Sequence, residues 1–278
     1  WETLFKDPRH RFSAYVSMQG VFRDSYYGGG GRVLQPGDSL TEADLLAINA
    51  YGKSEDLSLV GGAQYSGPLA KALELIAGAE FQRNRVKDRM PGYQRQIDQE
   101  VQVLGSYAQL EWKPLRGFSL VGGARFDYVR ILGSYRFGQN LGLVDQNEQL
   151  PVLVPRASFR WQFHRAFTVR GGFAQGYRAP QAFDEDLHIE TVGGAALFTQ
   201  FAPDLETERS NNLTLGLSWM PQDPKKAFSL TAEGFYTELV NPFILSGQTE
   251  LPSGVAVITK RNGAGGHSMG LNLEAAWM

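Results

Sequence analysis

The chain has 278 residues, a net charge of −2, no cysteine, 32 glycines and 12% aromatic residues. Its near-neutral balance gives no basic stripe for nucleic acid, which would cluster Lys and Arg on one face. It holds no apolar run long enough for a membrane-crossing helix, whereas a β-barrel strand shows only every second residue to lipid and needs no such run.

From Arg11 to Arg23 the chain alternates, with Phe12, Ala14, Val16, Met18, Gly20 and Phe22 on one face and Arg11, Ser13, Tyr15, Ser17, Gln19 and Arg23 on the other. Period two over this length predicts a strand that can cross a bilayer. A glycine-rich connection near 28–47 follows. The chain then returns through Leu57, Leu59, Gly61, Ala63 and Tyr65 to an expected turn at Ser66-Gly67-Pro68. Leu73, Leu75, Ala77, Ala79 and Phe81 oppose Glu74, Gly78, Glu80 and Gln82. Leu104, Ser106, Ala108, Leu110 and Trp112 oppose Tyr107, Gln109 and Glu111. Leu120 to Tyr128 places Arg125 and Asp127 on its polar face, and Ala157, Phe159 and Trp161 oppose Arg156, Arg160 and Gln162. Phe167, Val169, Gly171 and Phe173 form the next apolar face, then Leu213, Leu215, Leu217 and Trp219. Phe228 to Tyr236 and Leu271 to Trp277 complete the series, with Glu233 and Glu274 on their polar faces.

These segments predict an all-β fold, an antiparallel transmembrane β-barrel segment of about ten strands. Short periplasmic turns near 67, 115, 165 and 222 alternate with long extracellular connections near 28–47, 87–98, 131–151, 177–206 and 243–256. Trp112, Trp161 and Trp219 each precede a short turn and Trp277 ends its strand, as aromatics do at a membrane interface. A soluble β-sandwich also alternates, but does not explain charges at lumen spacing or tryptophans gathered at one end. Trp1 to Phe5 shows no leader-like composition, so an exported barrel opening this way is a mature chain or a fragment.

The longest connection runs Tyr177-Arg178-Ala179-Pro180, later Pro203-Asp204-Leu205 and Glu208-Arg209-Ser210. This pair closely resembles the RAP and PxLxPExS elements of TonB-dependent receptor barrels, with Ala202 and Thr207 standing where that pattern has Asn and Pro. Asn262 with Gly270-Leu271-Asn272-Leu273-Glu274 resembles a later element of the same family. The resemblance covers essentially the whole chain. It implies an outer-membrane receptor of a Gram-negative bacterium that takes up a scarce nutrient, its lumen closed by a plug that contacts the TonB complex. No plug-like segment is read here, so the expectation is one partial barrel domain over 1–278 that lacks plug and final strands. The implied cargo is a ferric siderophore or another metal chelate, with vitamin B12 or haem as alternatives; the other partner is outer-membrane lipid.

Ligand contacts are expected from arginines and aromatics near the extracellular strand ends: Tyr26, Tyr27, Arg89, Tyr93, Arg95, Tyr135, Arg136 and Phe137, with Arg178 and His188 in the longest connection. Arginine pairs with carboxylate-like oxygens and aromatic rings stack on flat ligands; each of these could equally be a solvated loop residue. Asp184, Glu185, Asp186 and His188 could bind a divalent cation, or be held by Arg178 or Arg209. The charges at Glu74, Glu80, Glu111, Arg125, Asp127, Arg156, Arg160, Arg170 and Glu233 are expected to face the lumen, paired within the wall or with the plug. No catalytic set and no cofactor is expected. An outer-membrane protease would have to rest on Asp184, Asp186 and His188 alone, since His10, His164 and His267 are misplaced for it. A passive porin would not need the loop pair at Arg178 and Asp204.

Overall fold

The computed structural model describes residues 2–5, 7–26, 33, 35–41, 44–45, 48–93, 95–137, 143–181, 197–202, 204–221, 228–250 and 256–277. Its strands are β1 (Glu2–Leu4), β2 (Arg11–Tyr26), β3 (Tyr51–Ala70), β4 (Leu73–Met90), β5 (Arg95–Leu115), β6 (Phe118–Phe137), β7 (Leu143–His164), β8 (Phe167–Arg178), β9 (Leu197–Phe201), β10 (Glu208–Trp219), β11 (Phe228–Val240), β12 (Phe243–Glu250), β13 (Ala256–Asn262) and β14 (Gly266–Trp277). Eleven of them form one sheet in the order β1-β2-β3-β4-β5-β6-β7-β8-β10-β11-β14, every neighbour antiparallel. The ten long strands of this sheet are the ten expected from alternation. A second sheet, β12-β13-β9, rises from two of the expected connections. Among the described residues no ladder joins β14 to β1 or β2, so the closed ten-strand barrel of the protease alternative does not form. No described helix is long and apolar enough to cross a membrane, which says nothing against strands doing so.

Two turns fall where expected, at Arg116–Gly117 and at Arg165–Ala166. Gly117 has φ +79, and a Cβ there would meet the Gln162 carbonyl oxygen at 2.7 Å, so glycine is required. The turn expected at Ser66-Gly67-Pro68 instead lies inside β3, and the chain reverses at Lys71–Ala72. Pro68 is tolerated because the register shifts between Pro68 and Ala70, where a bulge removes the need for its missing N–H. The turn expected near 222 lies outside the described residues. Around the periplasmic ends Trp161 packs on Phe163, Phe163 stacks on Phe167 at 5.8 Å, and Trp219 packs on Phe228. This is the aromatic girdle that the tryptophan spacing predicts.

The concave face is identified by contacts that skip a strand. The Tyr15 hydroxyl of β2 donates to Glu80 of β4, Tyr107 of β5 to Gln64 of β3, Arg125 of β6 to Glu80 of β4, and Arg156 of β7 to Gln109 of β5. Only side chains converging on one side of a curved sheet can do this. The opposite face carries the apolar residues, with Val16 and Met18 80% and 81% exposed, as a lipid-facing surface requires.

Above the membrane band the two faces exchange character. Along the outward face Phe81, Leu104 and Tyr128 pair in one cross-strand row; the next row reads Arg83, Gln102, Arg130 and Gln149. On the inner face, over the same rise, Val101, Val103, Val129 and Ile131 replace the polar residues found lower down. Strands that continue past the bilayer have water outside and protein inside, so the alternation persists with its sense reversed. The connections expected at 87–98 and 131–151 are therefore strand for most of their length. The first reverses through a single 3-10 turn at Pro91–Tyr93.

Candidate functional site

The reversed upper wall and the second sheet together build a vestibule above the lumen. Strand β8 pairs with β7 only up to Ala174, then continues with β10 alone to Arg178. Beyond it Ala179 joins Val129 and Ile131 in a buried apolar cluster edged by Tyr177. The Tyr177 hydroxyl donates to Asp127 at 3.0 Å. Phe201 of β9 packs against Ile97 and Tyr135 on the inner face of β5 and β6. The second sheet thus leaves the β8–β14 side of the wall and docks on its β5–β6 side.

A hydrogen-bonded latch at the root of the two loops holds that sheet in place. The Asn262 side chain accepts from the Glu206 N–H at 2.7 Å and donates to the carbonyls of Glu206 (3.0 Å) and Asn241 (2.8 Å). Asn241 sits at φ 53, a conformation that asparagine tolerates better than most residues, and its side chain donates to Glu206. Arg178 donates to Glu208 at 3.0 Å, and the same carboxylate accepts the Phe243 N–H at 2.8 Å. The Arg178 guanidinium lies 4.9 Å from the Phe243 ring centroid and the Lys260 ammonium 5.0 Å from it. Lys260 also donates to the Gln181 carbonyl at 3.1 Å. Both cations thus lie against one ring, with Arg178 paired to Glu208 and Lys260 only 6% exposed.

Below the vestibule the lumen wall pairs its own charges. Arg125 bridges Asp127 (2.7 Å) and Glu80 (3.2 Å), Arg170 meets Glu233 at 3.0 Å, and Lys113 lies between Glu74 and Glu111. Arg156 reaches only Gln109, and Arg160, cross-strand from Arg170, has no partner among the described residues.

The residues expected to contact ligand scatter. Tyr26 ends β2 and packs on Tyr51 with ring centroids 4.7 Å apart. Tyr135 is 2% exposed, its hydroxyl bonded to Gln99 and Gln146, so it supports the vestibule floor and shows no free ring. Arg89 and Arg136 pair in one outward row through Gln96 and point away from the vestibule. Tyr93 closes the 3-10 turn, Arg95 opens β5 and Phe137 closes β6. Among the described residues the structure brings Arg178 to the Phe243 ring and buries Tyr135 with Ile97 against Phe201. Tyr27, Asp184, Glu185, Asp186 and His188 lie outside the described residues, and the metal reading with them. Among the described residues no group of three His, Asp or Glu side chains could hold a metal. Phe243, Lys260, Gln181 and Phe201 were not singled out from sequence. The available signal was alternation resuming at Phe243 and again from Ala256, inside a stretch read as loop.

A one-sided antiparallel wall with an aromatic periplasmic girdle, a charged lumen face and a loop-built vestibule is the architecture of an outer-membrane β-barrel. The model of the TonB dependent receptor-like β-barrel family matches residues 4–278. The chain belongs to that family, whose members are receptors and transporters of the Gram-negative outer membrane and not enzymes. No curated protein matches the sequence. Among solved structures the chain is similar to the copper transporter OprC (TM-score 0.65, 14% identity, 97% of this chain and 41% of that one). It is also similar to the FrpB iron transporter from Neisseria meningitidis, F3-3 variant (TM-score 0.63, 15% identity, 97% and 38%). A third is the ferric yersiniabactin uptake receptor FyuA from Yersinia pestis (TM-score 0.58, 19% identity, 82% and 33%). The chain spans well under half the length of each of these receptors, and at such identities the likeness shows the fold.

Proposed function

We propose that this barrel belongs to an active-transport receptor that captures a scarce nutrient outside the cell and passes it inward through coupling to the TonB complex. The cargo is a ferric siderophore or another metal chelate. The observation that carries this reading is the vestibule, where the exposed Arg178 guanidinium lies over the Phe243 ring above a lumen lined with arginines and carboxylates. Ferric chelates are compact octahedral complexes that carry anionic ligand oxygens and, in many, aromatic rings on their surface, groups that an arginine and an aromatic side chain contact. The names of the similar receptors, which carry copper, iron and ferric yersiniabactin, support a metal cargo. First contact falls to Arg178, with Tyr26, Tyr27, Tyr93, Arg95 and His188 from the surrounding strand ends and connections. A vitamin B12 or haem cargo is the second reading, and an axial histidine ligand at His188 would favour haem. Coupling runs through a plug filling the lumen, against Arg156 and Arg160, which have no carboxylate partner among the described residues.

Uptake by the complete receptor of labelled ferric siderophore, haem and cobalamin, each with and without TonB, tests this. Siderophore uptake that needs TonB and falls at least tenfold in Arg178→Gln is expected. Equal uptake without TonB would reject active transport, and transport of cobalamin alone would reject the chelate.

A further inference from the structure

We propose that Pro151 and Pro155 of β7 are positioning residues for cargo capture: they keep the corner of β8 and β10 that carries Arg178 out of the barrel wall and folded inside its mouth. The inference rests on the vestibule as a capture site and adds what sets its shape.

β8 leaves the wall at a definite point. Its ladder with β7 ends at Arg156 and Ala174, while its ladder with β10 runs on without a shift to Arg178 and Glu208. Tyr177 follows Phe173 and Gln175 on the lipid-side face of β8, since side chains two apart share a face. Its hydroxyl nevertheless donates to Asp127, which stands with Arg125 on the lumen face of β6. Ala179 packs on Val129 and Ile131 of that same face. An outward side chain of β8 can reach the inward side of β6 only if β8 has passed inside β7.

The prolines account for this departure. Continued upward, the β7–β8 register would set Pro155 opposite Gln175, Leu153 opposite Tyr177 and Pro151 opposite Ala179. In the ladder with β6, Pro151 faces Tyr128 and Pro155 faces Ala124. A proline has no N–H to exchange, so these are the pairs that share no hydrogen bond. The backbone groups of 151, 153 and 155 therefore point toward β8. The Leu153 carbonyl shows the direction, because it accepts from Arg209 of β10 at 3.3 Å. Two of these three positions thus offer a pyrrolidine ring where a ladder needs a donor, and the ring meets the carbonyl oxygen of any strand that approaches. The six backbone bonds that would zip β8 onto β7 are lost together. Fewer contacts hold the corner inside: the Tyr177 bond to Asp127, the Arg209 bond to Leu153 and the burial of Ala179. Prolines on a strand edge also discourage pairing between chains, a role that would leave the corner where it is when they are replaced.

In the complete receptor, Pro151→Val with Pro155→Val restores both donors. Six ladder bonds against roughly three contacts of similar strength leave a surplus of about three, each about fivefold, so the zipped form should gain roughly a hundredfold. Amide-resolved hydrogen exchange reads this at Leu153 and Tyr177, whose N–H groups point into the gap between β7 and β8. Both should exchange roughly a hundredfold more slowly than in the wild type. The effect should also depend on order. Pro151→Val alone should leave both amides at wild-type rates, because the ladder is still stopped one step earlier at Pro155, whereas Pro155→Val alone should slow them. Binding of a ferric tricatecholate and of a ferric trihydroxamate gives the functional readout. Whichever of the two the wild type binds should bind at least tenfold more weakly to the double variant and unchanged to Pro151→Val. Wild-type exchange at Leu153 and Tyr177 in the double variant, or equal slowing by either single variant, would overturn the positioning by prolines. Slowed exchange with unchanged chelate binding would overturn its part in capture. Binding of neither chelate by the wild type would reject the chelate cargo instead, and the exchange rates would still decide what the prolines do.

Discussion

Asn262→Ala should loosen the vestibule as a unit. The side chain makes three hydrogen bonds, accepting from the Glu206 N–H and donating to the carbonyls of Glu206 and Asn241. Each such bond contributes about 0.5–1.5 kcal/mol net, and at this half-exposed position the lower half of that range applies. Their loss therefore costs about 2 kcal/mol, which raises the open population of the latch roughly thirtyfold. Hydrogen exchange of the complete receptor reads this directly, because local opening controls exchange of the amides it frees. Amides of β9 and β13 should exchange roughly thirtyfold faster, with the periplasmic hairpin of β5 and β6 unchanged. Asn262→Asp separates the contributions. It keeps the acceptor but sets a carboxylate against two carbonyl oxygens, so at neutral pH it should open the latch at least as far as alanine does. Below about pH 4 its protonated acid can donate again, and part of the protection should return. Unchanged exchange in β9 and β13, or an equal rise in the periplasmic hairpin, would refute the latch.

Three further outcomes follow from the wall. Gly78→Ala should destabilise the barrel by about 1–3 kcal/mol, since a Cβ there would meet the Ala63 carbonyl oxygen at 2.7 Å and the Tyr107 hydroxyl at 2.6 Å; urea unfolding followed by gel mobility measures it. Arg125→Met leaves the nearly buried Asp127 carboxylate, among the described residues, with the Tyr177 hydroxyl alone and should cost about 3 kcal/mol in the same assay. Adding Asp127→Asn should recover part of that loss, and additive losses would argue against the pair. In the turn before β2, hydrogen bonds from Arg9 hold the Asp7 carboxyl down at about 2. Its folded-state value is depressed, so whatever this contact contributes is present above the usual carboxylate range and is lost as pH falls toward 2. Carbon NMR of labelled aspartates should show Asp7 titrating at about 2, and Arg9→Gln should return it to the usual range.

The parts of this fold legible in the sequence are those governed by local period. Ten strands and their lipid face follow from alternation alone, because each residue's side is set by its neighbours two positions away. The reversal at Phe81 and Arg83 was equally local, written in Arg83, Arg85, Lys87 and Arg89 at every second position, yet it reads as loop when apolar-outward is taken as the mark of a strand. The vestibule is different in kind. Its second sheet pairs Leu197 with Ala256 in parallel, its Tyr177 finds Asp127 fifty residues away, and its Phe201 lands on strands on the far side of the wall. No short-range pattern encodes those partners. The residues that carried the family resemblance now have structural duties. Arg178 and Glu208 fix the backbone of Phe243, and Asn262 closes on Glu206 and Asn241. They build the platform from hydrogen bonds within the chain. That is why they point so clearly to the family and so weakly to the nutrient. Arg178, bonded to Glu208 and stacked on Phe243, belongs to that platform and also stands 44% exposed above it.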